Sequence, residues 1–207
     1  MTTDELVLAL AGDLEPVRRL PSPGRRTLRF CAAALPLVAL FLAVHGLRAD
    51  WQRKLGETAF LREQAALLTF FTLSTWAALR SCVPGRDNWF VTALPAASLG
   101  VWLAFIASRH PGAHELGPSG VNCVVRMAAV ALVPFAALTA ALRRAPPLER
   151  GRAWALAVWS VTALGGFATQ WLCTRDNAAH VLVWHAAPVV LAGLGALGCG
   201  AFRRRSA

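Results

Sequence analysis

The chain has 207 residues, of which 56% are hydrophobic and only 15% charged, and its formal net charge is +10. Soluble domains carry roughly 25% charged residues, so this composition argues against a soluble domain and indicates a membrane protein. The basic residues are separated by long apolar stretches rather than gathered on one face, which argues against a nucleic-acid-binding domain.

The start of the chain, residues 3–14, predicts a short amphipathic helix. Thr3 is its predicted N-cap, and the acidic residues that follow suit the positive end of a helix dipole. The apolar residues recur at helical spacing and form one stripe: Leu6, Val7, Leu10 and Leu14. A helix this short is marginal in isolation. It therefore needs a surface, which is the membrane, the protein's own loops or a partner protein.

Six apolar stretches follow, each close to the roughly 20 residues that a helix needs to cross the hydrocarbon core. They cover residues 28–47, 60–80, 89–108, 121–142, 153–173 and 179–202. Because an open sheet cannot satisfy its backbone in lipid, the sequence predicts an all-α fold, a six-helix transmembrane bundle with a short amphipathic N-terminal cytoplasmic helix. The predicted regions are a cytoplasmic segment at 1–27, a transmembrane domain at 28–202 and a basic tail at 203–207.

The basic residues predict the orientation of these stretches. Fourteen of them flank the side that carries both chain ends, six flank the other side, and Arg126 lies within the fourth stretch. Since cytoplasmic loops carry the excess of arginine and lysine, both ends are predicted to be cytoplasmic. In that orientation Cys123 and Cys173 fall on the outer side, where disulfides form readily. A disulfide, a bound metal and two unreactive buried thiols all remain open.

Ionisable residues near the same side form a second candidate group, because such residues are costly inside a membrane. Asp176 is the nearest predicted counter-ion of Arg126, and His180 and His185 begin the sixth stretch. They predict either a structural set of hydrogen bonds or, with the two cysteines, a thiolate–imidazole–carboxylate metal site. No phosphate-binding glycine loop or hydrolase motif occurs, so no cofactor and no enzymatic activity are predicted.

Several short motifs carry a family resemblance. They are Asp4-Glu5-Leu6, Ala9-Leu10-Ala11, Asp13-Leu14, Pro16-Val17-Arg18-Arg19-Leu20, Val83-Pro84-Gly85-Arg86, the early Cys of the fourth stretch, Cys173-Thr174-Arg175-Asp176 and Trp184-His185. With them the chain resembles the NrsF family, six-helix anti-sigma factors of the proteobacterial inner membrane. The family usually has proline where this chain has Thr174.

The resemblance implies that the protein holds an extracytoplasmic-function (ECF) sigma factor at the membrane until a stress signal arrives. It implies a lipid bilayer and that sigma factor as partners, with no direct contact to nucleic acid. The sigma-binding residues it implies are Asp4, Leu6, Leu10, Asp13, Leu14, Pro16, Val17, Arg18, Arg19 and Leu20. The signal-sensing residues it implies are Cys123 and Cys173, with Asp176 beside them. A membrane thiol–disulfide oxidoreductase and a small transporter are the alternative functions.

Overall fold

The computed structural model of the chain describes residues 2–12, 20–83, 89–109, 120–147 and 149–205. Within these ranges all regular structure is helical, which confirms that the fold is all-α. In chain order the helices are α1 (Thr3–Gly12), α2 (Pro23–His45), α3 (Trp51–Gly56), α4 (Thr58–Arg80), α5 (Phe90–Ala107), α6 (Gly120–Arg144), α7 (Arg150–Gln170), α8 (Ala178–Val181), a π-helical turn (Leu182–Ala186) and α9 (Ala187–Arg205).

Helix α1 is capped by Thr2 rather than by the predicted Thr3. The Thr2 Oγ1 accepts a hydrogen bond from the Glu5 N–H (3.3 Å), and the Glu5 Oε2 accepts one from the Thr2 N–H (2.8 Å). This reciprocal pair is a capping box, which places the N-cap three residues before the glutamate. The prediction missed the residue because it did not use Glu5 to fix the register of the cap.

Helix α2 begins at Pro23, five residues before the predicted apolar stretch. The Ser22 Oγ accepts a hydrogen bond from the Arg25 N–H (3.4 Å), and Pro23 occupies the first helical turn. Both features favour a helix start at this point. The helix ends at His45 and is followed by Gly46, whose φ of 77° lies in the left-handed region that glycine adopts without strain.

Helices α4 and α7 form the centre of the bundle. They pack against each other, with α2 and α5 against α4, and α6 and α9 against α7. Their polar side chains bond to each other, since the Thr75 Oγ1 and Ser160 Oγ lie 2.6 Å apart and the Gln64 amide donates to the Gln170 Oε1. All four residues are buried. These hydrogen bonds stabilise the contact between the two helices.

Four of the six predicted membrane stretches are long and apolar enough to cross a membrane, namely α2, α5, α6 and the segment Ala178–Cys199. Helices α4 and α7 have the required length but more polar side chains. The outer helices expose apolar residues such as Leu40 and Leu132 to the surroundings. The central pair is covered by protein, so its polar groups find partners within the bundle. The predicted count of six therefore exceeds the four spans that length and apolarity identify within the described residues.

Successive long helices run in opposite directions, so the helix termini and the loops between them lie at two opposite ends of the bundle. At one end the Arg48 N–H donates to the Trp171 carbonyl (2.9 Å), which joins the residues after α2 to those after α7. At the other end the Arg26 guanidinium donates to a main-chain oxygen in the last turn of α6 (3.2 Å). Cys123 and Cys173 lie at the first end, which is called the thiol end below.

Candidate functional site

Cys123 and Cys173 lie side by side at the thiol end. Cys123 belongs to the first turn of α6 and Cys173 to the loop that follows α7. Their Sγ atoms are 3.7 Å apart, although 50 residues separate the two positions in the chain. Both are free thiols and nearly fully buried. The fold therefore brings together two thiols that the sequence placed only on the same side.

Two histidines complete a cluster around these thiols. The His180 Nε2 lies 3.4 Å from the Cys173 Sγ and 3.7 Å from the Cys123 Sγ. A ring nitrogen of His185, both sulfur atoms and a ring nitrogen of His180 all lie within 4.8 Å of one another. These four residues are called the Cys2His2 cluster below. It contains the predicted histidines but not Asp176.

Local backbone geometry sets the positions of the two rings. The Asn177 Oδ1 accepts a hydrogen bond from the His180 N–H (2.7 Å), which caps the start of α8. The Ala187 N–H then donates to the Leu182 carbonyl, five residues earlier, and makes the π-helical turn. Residues five apart in an α-helix are rotated by about 140°, at 3.6 residues per turn. The wider π turn returns His185 to the side of His180.

Both imidazole rings of the cluster are buried, and three of their four nitrogens lack a hydrogen-bond partner of normal length among the described residues. His180 is 0% exposed and His185 is 1% exposed. Among the described residues, the Nδ1 of His180 and both ring nitrogens of His185 have no hydrogen-bond partner of normal length. A buried polar group left unsatisfied costs roughly 1–3 kcal/mol. These ring nitrogens of the cluster are therefore free to donate or accept a further hydrogen bond or to bind an ion.

A network of ion pairs lies beside the cluster. The buried Arg48 guanidinium donates from Nε to the Asp50 Oδ1 (2.6 Å) and from Nη2 to the Asp176 Oδ2 (2.7 Å). The Lys54 ammonium lies 2.8 Å from the same Asp176 oxygen and also pairs with Glu57. This network ties the segment after α2, helix α3 and the loop after α7 together.

The network fixes the charge state of its members. Burial by itself would raise the pKa of the Asp176 carboxyl, but the hydrogen bonds from Arg48 and Lys54 hold it below its usual range. Burial would likewise lower the pKa of Arg48, yet its bonds to Asp176 and Asp50 raise it above its ordinary value. Asp176 is therefore an ionised structural carboxylate.

A second ion pair joins α5 to α4. The Arg109 guanidinium makes two hydrogen bonds to the Glu63 carboxylate and a third, from Nη1, to the Asp176 carbonyl oxygen (2.8 Å). The sequence analysis counted Arg48, Lys54 and Arg109 among the six basic residues of the outer side and predicted no ion-pair partner for them. These ion pairs could have been predicted in general terms, because charged residues at the buried ends of helices require partners of opposite sign.

Arg126 lies in α6 one turn after Cys123, as predicted, but its electrostatic surroundings differ from the predicted ones. Its expected counter-ion, Asp176, is held by Arg48 and Lys54 instead. Arg126 is exposed and lines a cavity of about 170 Å³ that borders Cys123, Cys173 and His180. Its positive charge therefore faces the thiols rather than a carboxylate.

The predicted sigma-binding residues lie partly within the described chain. Asp4 and Leu6 belong to α1 and are exposed, and Leu20 is also exposed. The side chain of Leu10 lies outside the described part of the structure, as do Asp13, Leu14, Pro16, Val17, Arg18 and Arg19. Leu6 and Val7 of the predicted stripe present apolar side chains on an exposed helix.

A comparison with protein-family models gives a match over residues 10–204. The family is NrsF, described as negative regulator of sigma F. The match excludes the first nine residues and so covers only the last part of α1. Searches of the curated proteins and of the solved structures find no match.

Proposed function

Because the chain belongs to the NrsF family of negative regulators of sigma F, we propose that it is a membrane anti-sigma factor for an ECF sigma factor. The family match over residues 10–204 carries this proposal. By holding the sigma factor at the membrane, the protein keeps it from RNA polymerase. The four apolar helices suit the membrane anchor that this role requires.

The sigma-binding segment in this proposal is α1 with the basic stretch that follows it. Leu6 and Val7 are 42% and 57% exposed, so α1 offers apolar side chains that a partner can bury. An amphipathic helix docks in a groove through residues at helical spacing, and basic residues beside it favour an acidic partner. The proposed contacts are the ten sigma-binding residues named in the sequence analysis.

Two substitutions within α1 test this segment. In the full-length protein, Leu6→Glu is expected to reduce co-purification of the sigma factor at least about tenfold. The substitution places a charge where the proposed complex buries an apolar side chain. Leu8→Glu is the matched control, since Leu8 is 73% exposed and lies off the predicted stripe. Equal retention of the sigma factor by both variants and the unaltered protein would contradict the assignment of the segment.

We also propose that all six long helical segments cross the bacterial inner membrane with both chain ends in the cytoplasm. Fourteen basic residues flank the proposed cytoplasmic side against six on the other. The antiparallel run of successive helices supports an even number of crossings. In this orientation the thiol end is periplasmic and α1 is cytoplasmic.

The proposed signal site is the thiol pair at the thiol end. Two neighbouring thiols form a disulfide when an oxidant accepts two electrons and two protons leave, and they also capture soft metal ions. Either event changes the link between α6 and the loop after α7.

The double variant Cys123→Ser, Cys173→Ser tests this site. In it, release of the sigma factor on oxidant or metal stress is expected to be lost. Cys82→Ser, at a buried cysteine of the opposite end, is the control. An unchanged response in the double variant would exclude the thiols as sensors.

The proximity of the thiols also suits the alternative of a thiol–disulfide oxidoreductase. Such an enzyme exchanges electrons with a partner's cysteines, which requires an accessible thiol. Cys123 and Cys173 are only 6% and 8% exposed. The burial of both thiols therefore favours a sensor over an exchange catalyst.

A further inference from the structure

The Cys2His2 cluster combines side chains from α6, from the loop after α7 and from the continuous helical segment that α8 and the π-helical turn form. Cys123 comes from α6, Cys173 from the loop after α7, His180 from α8 and His185 from the π-helical turn. All four are buried, and one nitrogen or sulfur atom of each lies within 4.8 Å of the others. Two sulfur and two imidazole donors around one point are a donor set that zinc binds in proteins.

Three of the distances within the cluster match a tetrahedral metal site. Bonds of zinc to sulfur and to imidazole nitrogen require neighbouring donor atoms to be about 3.3–3.8 Å apart. The two sulfur atoms are 3.7 Å apart, and the His180 Nε2 lies 3.7 Å and 3.4 Å from them. Three edges of the tetrahedron are therefore already formed, and His185 supplies the fourth corner.

The unsatisfied imidazoles supply an independent observation that points to a ligand. The ring nitrogens of His185 and the Nδ1 of His180 have no hydrogen-bond partner among the described residues. Both rings are nearly fully buried, so a protein group or a bound ion must compensate the loss of water. The π-helical turn, a feature frequent at functional sites, is what returns His185 to this point.

We propose that Cys123, Cys173, His180 and His185 form a four-coordinate site for a thiophilic divalent cation of the zinc class. The cation displaces one proton from each thiol and binds two thiolates and two neutral imidazoles, so the centre carries no net charge. A neutral centre suits burial far better than a free charge. Two protons are released to the solvent for each ion bound.

The surroundings of the cluster support access and thiolate formation. A cavity of about 170 Å³ borders Cys123, Cys173 and His180, which gives an ion room to approach. Arg126 and Arg175 line the same cavity, and positive charge near a thiol favours the thiolate. Asp176 is held by Arg48 and Lys54, so the proposed site keeps both cysteines and both histidines of the predicted ligand set and loses only its carboxylate.

The regulatory consequence of this site rests on the proposed function. A bound cation joins α6 to the loop after α7 and to the start of the last membrane segment. A disulfide between Cys123 and Cys173 would consume both sulfur ligands, so oxidation and cation binding exclude each other. The cluster therefore has two alternative states, one with a bound cation and one with a disulfide, and the chemical conditions on the periplasmic side select between them.

The test uses the full-length protein in detergent, reduced and freed of metal by a chelator. We expect one Co²⁺ to bind per chain, with visible bands typical of tetrahedral coordination and a thiolate-to-cobalt charge-transfer band, and Zn²⁺ to displace it. Four single variants remove one ligand each: Cys123→Ser, Cys173→Ser, His180→Gln and His185→Gln. Each should weaken Co²⁺ binding at least about 100-fold, more than the loss of an outer-shell partner.

Two variants serve as controls, Cys82→Ser at the opposite end and His45→Gln in the exposed last turn of α2. Both should bind Co²⁺ as the unaltered protein does. Circular dichroism checks that each variant keeps its helical content, and a rise in the unfolding temperature of the unaltered protein with Zn²⁺ tests binding without any substitution. Absence of both the cobalt bands and that rise would overturn the site, as would unchanged bands in His180→Gln and His185→Gln.

Sigma-factor retention, measured on the same samples, separates the site from the proposed function. Retention without any Co²⁺ binding overturns the metal site and leaves the anti-sigma function standing. Co²⁺ binding with the tetrahedral bands, in a protein that retains no sigma factor, supports the site and contradicts the anti-sigma function.

Discussion

Arg48 shows how single charged residues hold the thiol end together. Its side chain is only 1% exposed, yet it bonds to two carboxylates, one from its own segment and one from the loop after α7. A buried charge is tolerated only when its hydrogen-bonding capacity is filled. The Arg48 main-chain N–H also bonds to the Trp171 carbonyl. One residue therefore fixes two segments that are far apart in sequence.

Replacing Asp176 tests this residue-scale interpretation. Asp176→Asn removes the shared carboxylate of Arg48 and Lys54, while each cation keeps one other acidic partner. Because Asp176 is 34% exposed, we expect a loss of about 1–3 kcal/mol, below that of a fully buried pair. The unfolding midpoint in detergent should fall by roughly 2–10 °C. Intrinsic tryptophan fluorescence measures it.

The control and the pH dependence sharpen this test. Glu149→Gln neutralises an exposed carboxylate at the opposite end, and its effect should be near zero. The folded pKa of Asp176 lies below its unfolded value, so its contribution is present above about pH 4 and is lost as the pH falls through the folded pKa. The difference between the unaltered protein and Asp176→Asn should therefore shrink on acidification. A constant difference would contradict this role.

At the scale of helices, the crossing of α6 and α7 depends on one glycine. A Cβ added at Gly165 would lie 2.5 Å from the Met127 carbonyl oxygen and 2.7 Å from the Met127 Cγ. The first of these atoms belongs to the α6 backbone and cannot turn away. Small residues permit such close approach between membrane helices. Gly166, the next residue, would meet nothing closer than 3.8 Å.

The two glycines make a matched pair for an element-scale prediction. Gly165→Ala should push α6 and α7 apart and destabilise the protein by about 1–3 kcal/mol. Gly166→Ala should leave stability unchanged or raise it slightly, because alanine favours a helix more than glycine. Thermal unfolding in detergent compares them. Equal midpoints for the two variants would show that the backbone contact at Met127 is unimportant.

At the scale of the whole molecule, the bundle has a central pair surrounded by four helices. Helices α2, α5, α6 and α9 surround α4 and α7 and present apolar surface outward. The central pair keeps polar residues such as Thr75 and Ser160 because they bond to each other. Because other helices cover α4 and α7, these two helices tolerate more polar side chains, and among the described residues four segments are long and apolar enough to cross a membrane.

Reporter fusions test the proposed orientation of the whole chain. Alkaline phosphatase, which is active only in the periplasm, should be active when fused after residue 112 and inactive when fused after residue 146. Green fluorescent protein at the C-terminus should fluoresce, as it does in the cytoplasm. The reversed pattern would place α1 outside the cell and remove it from any sigma factor.

The sequence by itself determined the class of fold and the approximate position of every long helix. Apolar stretches of about 20 residues force helices because lipid offers no partners to the backbone. The start of α2 and the cap of α1 were misplaced by one to five residues, since side-chain capping decides the terminus. The signals for both, Ser22-Pro23 and Thr2 with Glu5, were present in the sequence.

Only the tertiary structure decided which polar residues share a site. Asp176 was predicted beside Arg126 and with the thiols, but the fold pairs it with Arg48 and Lys54, and the two predicted histidines lie with the thiols without it. Periodicity places a residue on a face of its own helix and says nothing about which residue of another helix it meets. The π-helical turn adds a rotation that no α-helical pattern contains. Contacts between residues 50 or more positions apart therefore depended on the three-dimensional packing of the bundle.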